Sequence, residues 1–520
     1  MDRRTFEFRA IFASLLLTLA LSAGVSAQRV GGTYVSGELL VKFTGGADSN
    51  SARQANRAVG VRAVEDLKEY GWQRVQIPAG MTVDQAIAEY NKLEGVEFAQ
   101  PNYYYHLLAT PHDPQFTAAG MYGLTKISAP SAWDLSTGSS AVVVADIDTG
   151  MRYTHQDLAP NAWINPGEIA ANGIDDDGNG FIDDVNGWDF FYNDSNPIDD
   201  AGGHGTHTAG TIGAVGNNSL GVVGVNWNVK IMPIKIYSPN GTDSTSSMLV
   251  NAYNYITMMK NRGVNIRVTN NSYGGCGEAC GYDQATKDAL DAMGNAGILN
   301  VFAAGNDNNN NDVNPSIAYP SVYTSPSILA VASSTNADAK SSFSSYGIVS
   351  VDVAAPGSGI LSTYNTSNTA TATLSGTSMA TPHTAGAAAL LSAYNPNLSV
   401  ASLKATLINT VDPLAAWTTL VRSGGRINVD RALRNQTVCT FPTEMTVPTK
   451  GGIFSVNLVP GGANCDYFVK SKTNWIKVTS GDTQTGNSTL TFRVPTNPTI
   501  SRTGTIMIGG QALTITQKRN

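Results

Sequence analysis

The sequence predicts an α/β fold with a parallel sheet flanked by helices, preceded by a small α+β domain and followed by an all-β sandwich of the Ig-like size class. Three observations predict this order. A strand and helix pattern occupies residues 28–108, apolar runs alternate with helical stretches in residues 109–435, and short alternating strands fill residues 436–520. The 520 residues are too many for one core, because single domains usually close at about 100–200 residues.

Residues 1–27 have the composition of a signal peptide. Arg3, Arg4 and Arg9 precede an apolar run over residues 10–23, and small residues ending at Ala27 form a cleavage site. The run is shorter than the roughly 20 residues that a membrane helix needs, and no later segment qualifies. We therefore expect a secreted, extracellular protein with no membrane span.

In residues 28–108, the N-terminal domain, the sequence predicts two strands with a helix between them. The strands are Glu38–Phe43 and Val96–Asn102. The helix begins at Thr82, and Gln85 three residues later completes a capping box. Its apolar residues share one face at helical spacing: Val83, Ile87, Tyr90 and Leu93.

Residues 109–435, the central domain, carry the parallel sheet. The runs AVVVADI, VKIMPIKI, IRVTNNS and ILNVFAA are apolar and rich in β-branched residues, and helical stretches separate them. Strands that helices cover on both faces have this composition. After Cys439, in the C-terminal domain of residues 436–520, the helical period disappears, and GTIMI and ALTIT predict a hairpin across Gly509 and Gly510.

Composition and charge narrow the possible functions. The chain is 42% hydrophobic and 14% charged, which argues against disorder and against a coiled coil. The net charge is −7, and no Lys/Arg cluster alternates with aromatic residues. Nucleic acid is therefore excluded as a partner. We expect a monomer.

The four cysteines predict disulfides, because an exported chain folds in oxidising surroundings. Three connectivities are possible, and proximity in sequence favours Cys276 with Cys280 and Cys439 with Cys465. A zinc site would need a His or a second Cys pair near CGEAC, which the sequence does not provide.

Three separate segments carry the groups of a serine hydrolase: DTG from Asp148, HGTH from His204 and GTSMATPH around Ser378. A serine hydroxyl is a weak nucleophile until an imidazole takes its proton, and the imidazole needs a carboxylate to fix its tautomer. Asp148 ends an apolar strand, whereas His204 and Ser378 lie at predicted helix starts. Such positions are where α/β sheets place their sites.

These motifs, in the order Asp, His, Ser, resemble those of the subtilisin family over residues 113–433. The resemblance implies a serine endopeptidase acting on proteins and peptides through an acyl-enzyme. Asp148 would orient His204, His204 would act as base and then acid, and Ser378 would attack. FAAGN resembles the family segment whose asparagine, here Asn306, binds the oxyanion together with the Ser378 N–H.

Two other functions fit the sequence less well. A lipase or esterase needs a GxSxG turn and the order Ser, Asp, His, whereas this chain has GTSMA and the opposite order. A catalytically silent binding protein on the same fold, or a glycan-attached adhesin, would lack a catalytic group. The sequence lacks none of them.

The resemblance also implies a cleft in which a peptide gains main-chain hydrogen bonds, and it implies broad specificity. NSYGG resembles the family's substrate strand, and residues 241–243 resemble the opposing one. The expected substrate-binding residues are Ser272, Tyr273, Gly274, Gly275, Gly241, Thr242, Asp243 and Ala303. Tyr273, Gly274 and Ala303 would line the pocket for the residue before the cut. Asp307 would favour a basic residue at its rim or is a solvated carboxylate.

Three further residues near the motifs have open roles. Asp146 lies on the strand face of Asp148, where the family usually has an apolar residue. It would shift the titration of the triad, pair with a cation, or serve as a hydrogen-bonded structural residue. His207 forms an HxxH spacing with His204, but without a third ligand it is interpreted as structural. His383 is interpreted as a packing residue.

Two loops predict structural Ca²⁺ sites. In the first, an EF-hand-like spacing places Asp175, Asp177, Asn179 and Asp183 as ligands, although Asn186 stands where a Glu would be expected. The alternative is a solvated acidic turn. The second, VGNNSLGVVGV, resembles the family's principal calcium loop. The ligands that this resemblance implies are Asn218, the carbonyls of Gly216, Leu220 and Val222, and the carboxylates of Asp157 and Asp113.

The flanking domains also resemble known families. The N-terminal domain resembles the prodomain of subtilisin-type proteases, which implies a folding chaperone and intramolecular inhibitor whose tail, residues 103–109, occupies the active site as first product. The C-terminal segments NWIKVTSGDTQTGNSTLTFRV, NPTISRTGTI and GGQALTITQ resemble BACON-type Ig-like domains, whose members are suspected of glycan attachment. A structural appendage is the default interpretation, since Trp475 suits a core position as well as a ligand-facing one.

Overall fold

A computed structural model describes residues 34–103, 110–117, 120–241, 244–274, 282–461, 464–497, 500–509 and 511–518. The predictions that lie outside these residues are the signal peptide, most of the 103–109 tail, Thr242, Asp243, Gly275, Cys276 and Cys280. Within the described ranges, no helix is long and apolar enough to cross a membrane. The chain divides into two compact units, residues 1–105 and 106–520.

The first unit is an antiparallel sheet in the strand order β2-β3-β1-β4, with two helices. Its elements are β1 (Tyr34–Phe43), α1 (Asn50–Val59), β2 (Arg62–Leu67), β3 (Trp72–Gln76), α2 (Val83–Tyr90) and β4 (Val96–Tyr103). The predicted capping box is confirmed, since the side chains of Thr82 and Gln85 each accept the other's backbone N–H. Leu39, Val75 and Tyr90 lie in its core.

The central domain begins the second unit. Its elements are α3 (Tyr122–Lys126), α4 (Ala129–Trp133), β5 (Gly138–Asp148), β6 (Trp188–Asp189), α5 (His204–Gly213), β7 (Asn228–Lys235), α6 (Ser246–Asn261), β8 (Ile266–Asn271), α7 (Gln284–Asn295), β9 (Leu299–Ala303), β10 (Ile328–Ser334), β11 (Val353–Pro356), β12 (Ile360–Thr363), β13 (Thr371–Leu374), α8 (Thr377–Tyr394), α9 (Val400–Asn409), β14 (Asp412–Pro413), β15 (Gly425–Arg426) and α10 (Val429–Arg434).

The predicted parallel sheet is confirmed, with the strand order β14-β15-β11-β10-β9-β8-β5-β7-β6. All its pairings are parallel except that of β14 with β15. One hydrophobic cluster joins strand residues to α8, and a second joins strand residues to α6 and α7. Helices therefore bury both faces of the sheet. The sheet holds Asp148 at the carboxyl end of β5, beside the segment that follows β8.

The C-terminal domain consists of two sheets, in the strand orders β16-β23-β22-β18-β20 and β17-β21-β19. Its strands are β16 (Glu444–Val447), β17 (Gly452–Leu458), β18 (Asp466–Ser471), β19 (Lys477–Val478), β20 (Thr483–Thr485), β21 (Ser488–Val494), β22 (Arg502–Ile508) and β23 (Gln511–Gln517). The predicted hairpin joins β22 to β23, and the predicted Cys439–Cys465 disulfide is present with an S–S distance of 2.01 Å.

The C-terminal domain packs against the central domain. Ala401 and Ala405, on α9, belong to the same hydrophobic cluster as the buried residues of the β-sandwich. The backbone N–H of Cys439 donates to Ser402 Oγ at 3.0 Å. Lys404, also on α9, pairs with Asp466 at 3.1 Å. The two domains therefore share a continuous apolar and ionic contact.

Candidate active site

Asp148 and His204 form a directly hydrogen-bonded pair. His204 Nδ1 lies 2.7 Å from Asp148 Oδ1, which also accepts the backbone N–H of Thr149 at 2.7 Å. An imidazole that donates from Nδ1 keeps a lone pair on Nε2. His204 is about one-third exposed whereas Asp148 is buried, so Nε2 is the atom available to a substrate or nucleophile.

The glycines beside His204 permit the close approach of α5 to the end of β5. Gly203 has a φ of 81°, in the left-handed region that favours glycine, and it ends the turn before the helix. A Cβ on Gly205 would lie 2.1 Å from the carbonyl oxygen of Gly150 and 3.1 Å from Asp148 Cβ. The sequence HGTH therefore allows His204 to contact the aspartate of the DTG turn.

The charges around His204 favour its protonated form. Burial acts to lower the pKa of the imidazole, but the charge and hydrogen bond of Asp148 outweigh burial and raise this pKa above 6.5. Asp146 and Asp199 act in the same direction. The His204 imidazole can therefore accept and hold a proton, as a general base must.

Ser378 lies in the first turn of α8. Its Oγ donates to the carbonyl oxygen of Ser272 at 3.0 Å, and Ser272 Oγ donates back to the carbonyl oxygen of Ser378 at 2.9 Å. This pair connects the turn of Ser378 to the segment after β8. The first N–H groups of a helix have no partner within it, so the Ser378 N–H is available to an anion.

The backbone nitrogen of Ser378 and the side-chain Nδ2 of Asn306 lie near one point beside Gly376. The Thr377 N–H and hydroxyl both donate to Asn306 Oδ1 at 2.9 Å, which fixes the amide and leaves Nδ2 on the other side. An atom at the position of a Cβ on Gly376 would lie 3.5 Å from Ser378 N and 3.6 Å from Asn306 Nδ2. This arrangement can stabilise an oxyanion.

Asp199 is a site residue that sequence reasoning missed. Its Oδ1 accepts Thr149 Oγ1 at 3.1 Å, and its Oδ2 accepts both the N–H and the hydroxyl of Thr206. Burial raises the pKa of Asp199, although these hydrogen bonds act to lower it. It joins the DTG turn to the HGTH helix. The only signal in the sequence is an acidic residue five positions before His204.

Of the residues predicted to bind substrate, Ser272 contacts Ser378, and the others that the structure describes are Tyr273, Gly274, Ala303 and Gly241. Ser272 is buried, and Gly274, with a φ of 137°, would place a Cβ 3.3 Å from the carbonyl oxygen of Tyr319. The Tyr273 ring packs edge-on against Phe302 at 5.9 Å. Ala303, at the end of β9, is buried, whereas Gly241 and Asp307 are exposed.

The remaining residues with open roles are buried. Asp146 accepts hydrogen bonds from Thr208 and Asn270. His207 Nε2 donates to the carbonyl oxygen of Ile360, and His383 Nδ1 to that of Met379, each at 2.9 Å. Burial lowers the pKa of both imidazoles to about 4, so they are neutral at pH 7.

The loop of residues 216–222 contacts two carboxylates. Asp113 accepts the N–H groups of Asn217 and Asn218, and Asp157 accepts Asn218 Nδ2 at 3.1 Å and the Val222 N–H at 3.0 Å. Burial raises the pKa of Asp113, and the charge of Asp157 adds to this rise. Asn218 Oδ1 accepts the N–H of the exposed Leu220, and Gly216 packs on Trp227. Two buried carboxylates and an amide oxygen are a donor set that suits Ca²⁺.

The acidic loop assembles a different set from the predicted one. Carboxylate oxygens of Asp175, Asp177 and Glu168 all lie within 4.8 Å of one another, and Glu168 Oε2 is buried without a hydrogen-bond partner among the described residues. Asp183 lies outside this group, and its carboxylate accepts the N–H groups of Asn172 and Gly173. Asn179 donates Nδ2 to Asp177, and its Oδ1 accepts the Phe181 N–H. Glu168 was missed because it precedes the spaced motif.

Comparison with protein-family models assigns all three domains. The model of the Subtilase family matches residues 139–436, that of the Fervidolysin N-terminal prodomain matches residues 20–102, and that of the BACON binding domain matches residues 466–518. These matches agree with the three resemblances found in the sequence.

Three similar proteins are thermitase and two proteins that are named as proteases. Thermitase of Thermoactinomyces vulgaris is 39% identical over 325 residues, which are 62% of this chain and 99% of thermitase. The thermophilic serine proteinase of Bacillus sp. (strain AK1) is 32% identical over 397 residues, covering 76% of this chain and 87% of the relative. The extracellular protease of Xanthomonas campestris pv. campestris is 30% identical over 478 residues, covering 83% and 79%.

Proposed function

The chain belongs to the subtilase family and is a serine endopeptidase with a prodomain, and we propose that Asp148, His204 and Ser378 are its catalytic triad. The observation that carries the proposal is the 2.7 Å Asp148–His204 hydrogen bond, at the same sheet edge as a serine whose backbone nitrogen lies near Asn306 Nδ2. The activity is thereby assigned to particular atoms.

In the proposed reaction, Ser378 Oγ rotates away from the Ser272 carbonyl and toward His204 Nε2 when a peptide binds. Nε2 takes the hydroxyl proton as Oγ attacks the scissile carbonyl carbon. The oxyanion is stabilised by Asn306 Nδ2 and the Ser378 N–H. The imidazolium, stabilised by Asp148, then gives its proton to the leaving amine, and an acyl-enzyme remains.

Hydrolysis of the acyl-enzyme repeats these roles with water as the nucleophile. His204 takes a proton from the water, the second tetrahedral intermediate uses the same two donors, and Ser378 Oγ leaves with the proton returned by His204. Tyr273, Gly274 and Ala303 would contact the residue before the cut, while the peptide pairs with the segment after β8. Specificity is proposed to be broad.

Labelling with a fluorophosphonate tests the assignment of Ser378. The wild-type enzyme should be labelled at Ser378, and Ser378→Ala should be neither labelled nor active. Ser375→Ala is the matched control, because Ser375 is exposed three residues earlier and its Oγ accepts the N–H of Gly359, a loop residue. Labelling that persists in Ser378→Ala would disprove the proposed nucleophile.

The N-terminal domain is proposed to assist folding and to inhibit the secreted precursor until Ser378 cleaves it off. Ser378→Ala should then accumulate as a precursor that still carries residues from Gln28. Expression in a host without other secreted proteases distinguishes this from cleavage in trans. Complete removal of the N-terminal domain from Ser378→Ala in that host would contradict self-processing.

Calcium is proposed as a structural ion at the 216–222 loop and at the Glu168, Asp175 and Asp177 cluster. The support is the donor chemistry of both loops and the unpaired Glu168 Oε2. When bound, the ion would supply positive charge that offsets carboxylate repulsion. The proposed reaction requires no metal-bound water, because the nucleophile is a hydroxyl.

The C-terminal domain is proposed to bind an anionic carbohydrate surface. Lys450, Lys477 and Arg493 are exposed around an open depression of about 380 Å³ beside Trp475, and the Arg502 guanidinium lies 4.1 Å from the centre of that ring. Lys477 is directly opposite Arg493 on the sheet, an arrangement of like charges that costs free energy. No salt bridge to these four cations occurs in the described part of the chain.

Retention on dextran sulfate tests this surface. Full-length Ser378→Ala should bind the sulfated polymer in a salt-dependent manner and should not bind neutral dextran. Lys477→Glu with Arg493→Glu should weaken retention, whereas Lys472→Glu, an exposed lysine outside the depression, should not. If all variants are retained equally, the proposed binding surface is wrong and the domain is a structural appendage.

A further inference from the structure

Asp146 lies beneath the active site without being part of the triad. It occupies β5 two residues before Asp148 and is only 2% exposed. Its Oδ2 is 2.9 Å from Thr208 Oγ1, and its Oδ1 is 2.8 Å from Asn270 Nδ2. Burying a carboxyl group in a sheet core costs free energy unless hydrogen bonds offset that cost. The partners of Asp146 therefore indicate what this residue does.

The partners of Asp146 lie on the helix that carries His204 and on the strand that leads to Ser272, which contacts Ser378. Thr208 is one turn after His204 on α5, and its hydroxyl is also 2.9 Å from the carbonyl oxygen of Gly205. Asn270, on β8, gives its second amide hydrogen to Ser272 Oγ at 3.0 Å, and that hydroxyl donates to the Ser378 carbonyl. One carboxyl group thus joins three segments.

Proton counting indicates that this carboxyl group is uncharged. The Thr208 hydroxyl has one proton but lies 2.9 Å from two acceptors, Asp146 Oδ2 and Gly205 O. Both contacts are hydrogen bonds if Asp146 is protonated and donates to Thr208 Oγ1, while Thr208 donates to Gly205. Burial, with the charge of Asp148, raises the pKa of Asp146 to about 8, which agrees with this proton count.

We propose that Asp146 is a positioning residue that, as an uncharged carboxylic acid, connects the strand of Asp148 to the helix of His204 and to the segment that contacts Ser378. The inference rests on the proposed triad. Asp146 touches no reacting atom in the proposed reaction. Its effect is to fix the distance between base and nucleophile, to which rate is sensitive.

Two substitutions at Asp146 separate this role from simple packing. Asp146→Asn keeps the shape, donates to Thr208 and accepts from Asn270, so kcat should stay within about threefold of wild type. Asp146→Val removes both hydrogen bonds and should lower kcat by about 10- to 100-fold, with KM within about twofold, as expected for a misplaced catalytic group. Rates are compared per mole of enzyme freed from the N-terminal domain.

Asp148→Asn is the matched control, because the same change at the orienting carboxylate should lower kcat by about 10⁴-fold. An active Asp148→Asn would disprove the triad rather than the role of Asp146. If Asp146→Val does not fold, Thr208→Val removes the same link from α5 and should lower kcat similarly, while Thr208→Ser restores it. A wild-type kcat in Thr208→Val or Asp146→Val, or a loss in Asp146→Asn equal to that in Asp146→Val, would overturn the proposal.

Discussion

Arg422 of the central domain holds Asp466 of the C-terminal domain through two hydrogen bonds, Nη1 to Oδ2 at 2.6 Å and Nη2 to Oδ1 at 3.2 Å. Lys404, which is 6% exposed, reaches the same carboxylate. Bidentate pairs of this kind are stronger than exposed single contacts. The C-terminal domain is therefore part of the folded enzyme and not only an attachment to it.

Deleting the residues after Asn435 should leave turnover of short peptides in brief cold assays nearly unchanged, because the proposed triad, Asn306 and Ser272 all precede the cut. The thermal midpoint should fall by several degrees, since deletion exposes Ala401 and Ala405 and removes the carboxylate nearest Lys404. Calorimetry in the Ser378→Ala background avoids self-digestion. An unchanged midpoint would show that the contact contributes nothing.

Asp466→Asn should destabilise the enzyme in a pH-dependent manner. Burial acts to raise the pKa of Asp466, but Lys404 and Arg422 lower it to about 2, from 3.8 in the unfolded chain. A depressed pKa contributes stability above about pH 4 that is lost as pH falls toward 2, on the order of 2 kcal/mol here. The free-energy difference from Ser378→Ala alone should thus shrink between pH 4 and pH 2. A difference that is constant over this window would rule out the ion pair as its cause.

Much of the fold could be predicted from local sequence, because apolar strand runs and helical spacing extend over only a few residues. The proposed catalytic groups were also found in short glycine-bounded motifs, and their assignment stays a prediction. The partner of Ser378 Oγ could not be predicted, since it depends on where β8 places the Ser272 carbonyl. The role of Glu168 depends on a loop closing on Asp177. The strand β2 was missed because its residues are mostly exposed and lack an alternating pattern.

The acid limb of the pH–rate profile should report the deprotonation of His204. The raised pKa of this imidazole places half-maximal kcat/KM above pH 6.5, because only the neutral base can accept the serine proton. In Asp148→Asn the residual activity should have its acid limb at lower pH, since the main charge that raises this pKa is gone. Asp307→Asn, which removes an exposed carboxylate near Asn306, is the control and should leave the limb in place. An acid limb that does not move in Asp148→Asn would assign it to another group.

Asn306→Ala should lower kcat by about 100- to 1,000-fold, the loss known for the corresponding donor in a subtilisin. KM should change little, because the donor acts on the oxyanion and not on the bound peptide. Asn306→Asp is the matched control, since it keeps the oxygen that Thr377 contacts but replaces Nδ2 with a second oxygen. Near wild-type kcat in Asn306→Asp would show that Asn306 serves only to hold Thr377.

Calcium removal should lower stability without stopping the chemistry. Binding to the folded state alone adds about 2.7 kcal/mol when free ion is a hundred times its Kd, and chelation removes this contribution. Ca²⁺ should therefore raise the thermal midpoint of the Ser378→Ala protein, and chelator should reverse the rise while brief cold assays of the active enzyme keep their rate.

Substitutions measure separately how much each loop contributes to the calcium-dependent rise in thermal midpoint. Asp157→Asn should abolish the part due to the 216–222 loop, and Glu168→Gln the part due to the acidic cluster, each leaving the other part intact. Asp183→Asn is the control for the cluster, because the Asp183 carboxylate accepts loop N–H groups and lies outside the three-carboxylate group. If Glu168→Gln leaves the calcium-dependent rise unchanged while Asp183→Asn reduces it, the residues of the EF-hand-like spacing bind the ion, and the Glu168, Asp175 and Asp177 cluster does not.

Immediate loss of turnover on chelation, with the fold intact by circular dichroism, would show that the metal takes part in catalysis.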